Sequence, residues 1–234
     1  MCDPSSLATS LAPARPGGEN IYFGPVNVFI LNAGRSGSQT FAQACSHATN
    51  YSSAHESRSG LLGEAHFDYP DNHIESDNRL SWLLGRLDRR FGDRAFYVHL
   101  TRAVEPVAAS WAKRAHTGMM NAYRYAILWH CPKDATPYEV ALDYCDTVEA
   151  NIRLFLRDKT NGMEFRLEQA RERFPEFWRR IGATGDLTAA LAEFEVRHNA
   201  AWDQRTDAAP GMLTRVGSKL YRVGRKLPVF LRNA

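Results

Sequence analysis

Hydrophobic and polar residues follow two different periods along this chain, and the two periods predict a mixed α/β fold. Short runs that are apolar at nearly every position are typical of strands buried on both faces of a parallel sheet. The predicted strands are 26–31, 51–54, 95–100 and 163–167. Apolar residues spaced three and four positions apart indicate helices. The predicted helices are 39–45, 80–87, 106–114, 142–155 and one that begins near Asp186.

Because strands and helices alternate, we expect a parallel β-sheet flanked by helices, in which ligands bind at the carboxyl ends of the strands. Two long polar segments, 57–77 and 116–138, interrupt the alternation and are expected to be loops. Loops of this length are often functional. We expect the two segments to shape a pocket for a ligand, and their aromatic and histidine side chains would suit a sugar or an aromatic alcohol equally well.

The ends of the chain differ from its middle in composition. Residues 1–22 are rich in Ser, Ala, Pro and Gly and are expected to be a disordered lead-in, followed by an α/β domain at 23–205. We expect 206–234 to be a basic tail, since it holds six basic residues and no acidic one after Pro210. Such a tail is either a solvated extension or an amphipathic contact with a membrane surface. No nucleic-acid-binding motif is present, so no nucleic acid is expected as a partner.

Composition excludes several classes of protein. The chain has 234 residues, of which 44% are hydrophobic, enough for one packed domain and too many for a disordered chain. It has no run of about 18 apolar residues that would span a membrane. Its four cysteines form no Cys-x-x-Cys pair, which disfavours a disulfide framework or a zinc knuckle. The first residues lack a secretory pattern, so a cytoplasmic location is expected.

A loop of small residues follows the first predicted strand and leads into the first predicted helix. The loop and the helix start read Gly34, Arg35, Ser36, Gly37, Ser38, Gln39 and Thr40. Free backbone amides at such a helix start can hold a phosphate, to which Arg35 adds a guanidinium and Ser38 and Thr40 add hydroxyls. The nucleotide triphosphatase signature requires Gly-Lys-[Ser/Thr], and here Gly37 is followed by Ser38 instead. The loop therefore favours anion binding without ATP hydrolysis.

A second strand-to-helix junction carries Arg102 at the end of a predicted strand and Ser110 inside the next helix. Both side chains could converge on one phosphate. Taken alone, however, this segment favours a surface cation at Arg102 and an ordinary helix residue at Ser110.

Taken together, the two segments resemble motifs of sulfotransferases that use 3′-phosphoadenosine 5′-phosphosulfate. Segment 32–40 resembles their 5′-phosphosulfate loop, although Gln39 stands where a Ser or Thr is commoner. Segment 100–111 is similar to their 3′-phosphate motif, an Arg followed eight positions later by a Ser. The resemblance extends over roughly 26–199 and is nearest to small bacterial members, whereas 224–226 is only a degenerate substitute for the C-terminal Arg-Lys-Gly loop of the cytosolic enzymes.

This resemblance implies a P-loop nucleotide-binding sandwich that transfers a sulfuryl group from 3′-phosphoadenosine 5′-phosphosulfate. The acceptor would be a hydroxyl or amine of a small molecule, lipid or carbohydrate, and adenosine 3′,5′-bisphosphate would be released. The phosphosulfate would be bound at residues 34–40 and the 3′-phosphate at Arg102 and Ser110. Arg35 would also stabilise the charge that grows on the leaving phosphate.

The resemblance further implies a His or Glu base just beyond the second strand. His55 and Glu56 occupy that position, and Glu56 is the first choice. Glu64 and His66 are rivals, because some relatives carry a Glu-x-His-Phe segment there. Each of these four residues could equally be a solvated loop side chain without a catalytic role.

Two other functions stay open on sequence grounds. One is a kinase-like enzyme of the P-loop type, which the missing Lys disfavours. The other is a non-catalytic module that binds a nucleotide or a polyanion. No metal is expected, because the histidines show no recurring ligand spacing and Ser59 breaks a His-Glu-x-x-His pattern.

Overall fold

A computed structural model of the chain describes residues 26–196, and its sheet and helices belong to the compact unit that ends at Phe194. The expected lead-in 1–22, the expected domain borders and the basic tail 206–234 lie outside the described residues. Among the residues described, no helix combines the length and the apolar character needed to cross a membrane.

Five parallel strands form one sheet in the order β2-β3-β1-β4-β5. The strands are β1 (Val28–Leu31), β2 (Ser52–His55), β3 (His73–Ser76), β4 (Phe96–Thr101) and β5 (Gly162–Arg166). β1 lies at the centre, between β3 and β4. Because all five strands run in the same direction, the segments that follow them meet at one edge of the sheet.

Helices cover both faces of the sheet. They are α1 (Ser38–Cys45), α2 (Leu84–Phe91), α3 (Val104–Ala112), α4 (Gly118–Ala122), α5 (Pro137–Leu156), α6 (Ala170–Arg180) and α7 (Leu187–Ala192). Val28 and Ile30 of β1 pack in one core with residues of α1, α6 and α7. Phe29 and Leu31 face the opposite core, which contains residues of α2, α3 and α5. This three-layer arrangement confirms the predicted α/β class with a parallel sheet flanked by helices.

The expectation of a loop over 57–77 is wrong. This segment contains a short 3₁₀ helix (Gly63–Phe67) and the whole of β3. Only one residue of β3, Ile74, is an aliphatic apolar residue, so the strand has no apolar run. Its polar residues are nevertheless buried, because Glu75 accepts hydrogen bonds from Ser57 and is paired with His73 at 3.0 Å.

Three smaller differences concern helices. Segment 116–138, also expected to be a loop, contains α4 and a π-helical turn (Tyr123–Ile127). The helix predicted at 80–87 is divided into a 3₁₀ turn (Asn78–Trp82) and α2. α3 begins at Val104, two residues earlier than predicted. The apolar spacing marked the helices at 80–87 and 106–114 without fixing their ends, and it missed α4 and α6 altogether.

Candidate active site

Two glycines shape the loop that follows β1. Gly34 has a φ of +77° and Gly37 a φ of +87°, a region that side chains other than glycine rarely adopt. A Cβ atom on Gly34 would lie 2.5 Å from the Trp111 ring, and one on Gly37 would lie 2.8 Å from Cδ1 of Leu167. The glycines therefore allow the loop to curl tightly against α3 and against the end of β5.

The loop ends at the N-terminus of α1, where Gly37 is the N-cap and provides no side-chain cap. The first intrahelical bond runs from Phe41 N to Gly37 O at 2.9 Å. Amides in the first turn of a helix have no intrahelical partner, and the first turn of α1 contains no acidic residue. Ser38, Gln39 and Thr40 thus bring backbone amides to an end of the helix that favours an anion.

Hydrogen bonds inside the loop fix its shape. Asn32 Oδ1 accepts the Gly34 amide at 2.8 Å, and the buried Ser36 hydroxyl donates to Gly34 O at 3.1 Å. The hydroxyl of Ser36 is thus used within the loop. Any contribution of Ser36 to anion binding would come from its backbone amide.

The structure brings Arg35, Arg102 and Ser110 together. Arg35 Nε donates to Ser110 Oγ at 2.9 Å, and Arg102 Nη1 lies 3.5 Å from Arg35 O, at the limit of hydrogen bonding. Arg114, one turn beyond Ser110, donates to Ser110 O at 2.9 Å and approaches its Oγ at 3.3 Å. The indole of Trp111 donates to Ala33 O at 3.0 Å. The two sequence segments thus form one continuous site.

This site concentrates positive charge. Burial lowers the pKa of Arg35, and the nearby charges of Arg114 and Arg102 lower it further. Like charges held close together repel each other, and a bound anion would relieve this repulsion. The electrostatics therefore suit a phosphate or sulfate group.

His55 and Glu56 lie beside this loop, at the end of β2. His55 Nε2 is 3.0 Å from Ser38 Oγ, and burial lowers the pKa of His55. Glu56 has a left-handed backbone with a φ of +52°, and its Oε2 forms an ion pair with Arg79 at 2.6 Å. His55 therefore contacts the loop after β1, and Glu56 is close enough to this loop for its charge to act on Arg35.

The rival residues Glu64 and His66 contact other parts of the chain. Glu64 is exposed, and its Oε1 lies 3.8 Å from Arg86 and 3.4 Å from Arg89 of α2. Nδ1 of His66 is 3.1 Å from Leu61 O. Within 26–196 no hydrogen bond or ion pair joins either residue to the loop 34–38, so the structure favours His55 and Glu56 as neighbours of the loop.

Sequence reasoning missed two charged residues next to Glu56. Asp77 follows β3, is fully buried and accepts the Arg79 amide at 2.8 Å. Burial raises the pKa of Asp77 to about 6. β3 pairs with β2 so that His55 lies opposite Ser76, which brings Asp77 and Arg79 to the same edge. Recognising β3 in the sequence would have identified them.

A cleft of about 580 Å³ opens beside Arg102, between the sheet and α5. Its lining includes Ser36 of the loop and the buried His99, whose Nε2 is 2.8 Å from Glu149. No lining residue comes from 57–77 or 116–138, the segments expected to shape an acceptor pocket.

Within the described part of the chain, no three His, Cys, Asp or Glu side chains are grouped so as to hold a metal ion.

Comparison with known proteins gives one structural likeness. A solved structure of the sulfotransferase domain from the curacin biosynthetic pathway matches with a TM-score of 0.53 and 15% sequence identity. The match covers 74% of this chain and 78% of that one. No protein-family model matches the chain, and no curated protein matches it by sequence. At this level of identity the likeness shows the fold, which is the α/β fold of a sulfotransferase domain.

Proposed function

We propose that this chain is a sulfotransferase that moves a sulfuryl group from 3′-phosphoadenosine 5′-phosphosulfate to an acceptor. The acceptor would be a hydroxyl or amine of a small molecule, lipid or carbohydrate. The observation that carries the proposal is the hydrogen bond between Arg35 and Ser110, which joins the two motif-like segments into one basic site. The likeness in fold to a sulfotransferase domain supports the same conclusion.

The proposed donor has anionic groups at two ends, and the residues fit both. The amides at the start of α1 and the guanidinium of Arg35 would hold the phosphosulfate. Arg102 and Ser110, at the adjacent junction of β4 and α3, would hold the 3′-phosphate. The donor supplies an activated sulfuryl group: the acceptor oxygen or nitrogen bonds to sulfur, the bond from sulfur to the phosphate oxygen breaks, and the phosphate leaves with the electron pair.

The chain would provide two kinds of assistance. Arg35 and the amides of the loop stabilise negative charge on the leaving phosphate. Glu56, or His55 beside it, accepts the proton that the acceptor loses. His55 contacts Ser38, which places this pair close to the amides that would hold the phosphosulfate.

Product analysis tests this proposal directly. The full chain is incubated with the sulfate donor and with separate pools of glycans, phenols, aliphatic alcohols and amines, and mass spectrometry searches for the gain of one SO₃ group. We expect sulfated product in at least one pool and release of adenosine 3′,5′-bisphosphate. Phosphorylated product from ATP and magnesium, with no sulfated product from the donor, would contradict the proposal.

A further inference from the structure

The ion pair of Arg79 with Glu56 lies beside a second carboxylate. Nη1 of Arg79 is 2.6 Å from Glu56 Oε2 and 3.8 Å from Asp77 Oδ1. The side chain of Asp77 is completely buried, whereas that of Glu56 is 33% exposed. One guanidinium thus lies between an interior acid and an acid at the surface of the site.

The backbone holds these three residues in place. Asp77 Oδ1 accepts the amide of Arg79 at 2.8 Å and so caps the 3₁₀ turn that carries Arg79. The amide of Glu56 donates to Ser76 O at 3.2 Å, which continues the pairing of β2 with β3. The separation of the two acids is therefore set by adjacent strands rather than by flexible loops.

The second oxygen of Asp77 is also informative. Asp77 Oδ2 is buried and has no hydrogen-bond partner among the described residues. A buried carboxylate is costly unless it is paired, so ionised Asp77 is attracted to the Arg79 cation 3.8 Å away. Arg79 consequently has two acids that compete for its charge.

We propose that Arg79 and Asp77 are positioning residues for Glu56, an inference that rests on the function proposed above. Arg79 holds the Glu56 carboxylate at the site through their ion pair. Asp77, on the interior side of Arg79, accepts the Arg79 amide and so fixes the position of Arg79. As the acceptor oxygen bonds to sulfur and the bisphosphate leaves with the electron pair of the broken bond, the acceptor proton passes to Glu56. Protonated Glu56 no longer competes as an anion, and Arg79 then pairs with Asp77.

The competition has a distinctive signature in the dependence of turnover on pH. A cation beside the base favours its ionised form and an anion beside it opposes that form. Removing Arg79 and removing Asp77 should therefore have opposite effects. Both variants keep the other titratable groups that face these two acids, which are His55, Glu75, Arg35 and Tyr69. Arg79 also lowers the pKa of His55, so Arg79→Gln moves the pKa of His55 upward as well.

The experiment compares pH–rate profiles of the wild-type chain with those of Arg79→Gln, Arg79→Lys and Asp77→Asn. We expect Arg79→Gln to move the acid limb to higher pH by about one unit or more, and Arg79→Lys to restore most of the wild-type profile. Asp77 is ionised above about pH 6, so Asp77→Asn, which keeps an oxygen for the Arg79 amide, should move the part of the acid limb above that pH to lower pH and leave the rest in place. Arg89→Gln, an exposed variant on α2, is the control and should leave the profile unchanged.

Several results would overturn the inference. Shifts of both variants in the same direction, or no shift in either, would remove the positioning role. A wild-type chain without any sulfuryl transfer would refute the proposed function instead. In that case, NMR titration of the Asp77 carboxyl still tests the pairing: Arg79→Gln should raise the pKa of Asp77 above its value of about 6, and an unchanged pKa would refute the pairing.

Discussion

Arg35 Nε and Ser110 Oγ are 2.9 Å apart, although 75 positions of sequence separate them. This hydrogen bond joins the loop after β1 to the last turn of α3. The adjacent residue, Trp111, adds a second link through its hydrogen bond to Ala33 O at 3.0 Å. A ligand held by the loop is therefore held close to α3 as well, which is what a molecule with two separate anionic groups requires.

The first prediction concerns this pair. Ser110→Ala should weaken binding of adenosine 3′,5′-bisphosphate about tenfold, because a hydrogen bond to a charged group contributes about 1.5–3 kcal/mol. Arg35→Ala should have a larger effect, on the order of a hundredfold, since it removes both a charge and several donors. Isothermal titration calorimetry measures both affinities. Arg89→Ala serves as a control for loss of a surface cation, and wild-type affinity in Ser110→Ala would contradict the prediction.

The second prediction concerns the glycines of the loop. Gly37→Ala should destabilise the chain by about 1–2 kcal/mol or more, because the residue would need a left-handed backbone and would meet Leu167. The affinity of Gly37→Ala for the bisphosphate should also be lower than that of the wild-type chain. Gly85→Ala is the matched control: Gly85 lies in α2 and has open space around its Cβ position, so the change should not destabilise the chain. Urea unfolding measures the free energy of unfolding of both variants, and equal values for the two would contradict the prediction.

The third prediction distinguishes the candidate bases. Glu56→Gln should lower kcat by about 10²–10⁴-fold while leaving bisphosphate binding nearly intact, since the amide cannot accept the proton. Glu64→Gln should turn over at nearly the wild-type rate, because Glu64 pairs with Arg86 and Arg89 on the surface of α2. The reverse result would transfer the role of base to Glu64.

The fourth prediction concerns the cost of burying Asp77. Burial raises its pKa from 3.8 to about 6, so the folded chain binds this proton more tightly than the unfolded chain does. Its contribution to stability is complete below about pH 4 and is lost as the pH rises through about 6. Asp77→Asn should therefore raise the free energy of unfolding by about 2–3 kcal/mol at about pH 8 and by nearly nothing below about pH 4. Urea unfolding across this pH range measures the change, and a gain that is independent of pH would contradict this explanation.

The sequence carried a clear signal for the centre of the fold and a weak one for its polar parts. Every residue of Val28–Leu31 is apolar and buried, so this strand, the loop after it and the following helix could be predicted from hydrophobicity and from glycine spacing. β3 could not, because His73 and Glu75 satisfy each other inside the protein. Two polar residues of one strand that hydrogen-bond to each other leave no hydrophobic pattern.

In the candidate site too, the sequence predicted some residues and missed others. Arg35, Arg102 and Ser110 were found because they match motifs, and their convergence follows from parallel strands that end at one edge of the sheet. Asp77 and Arg79 belong to no motif visible in the sequence. Their place beside Glu56 depends on the register of β3 against β2, which only the structure provides.

The proposed function depends above all on one basic site that recognises both anionic ends of an adenosine bisphosphate. Calorimetry can compare the affinities of the wild-type chain and of Arg102→Ala for adenosine 3′,5′-bisphosphate and for adenosine 5′-monophosphate. We expect the wild-type chain to prefer the bisphosphate by about tenfold or more and Arg102→Ala to lose this preference. Equal affinities in the wild-type chain, or a preference that survives in Arg102→Ala, would contradict the assignment of the 3′-phosphate to Arg102.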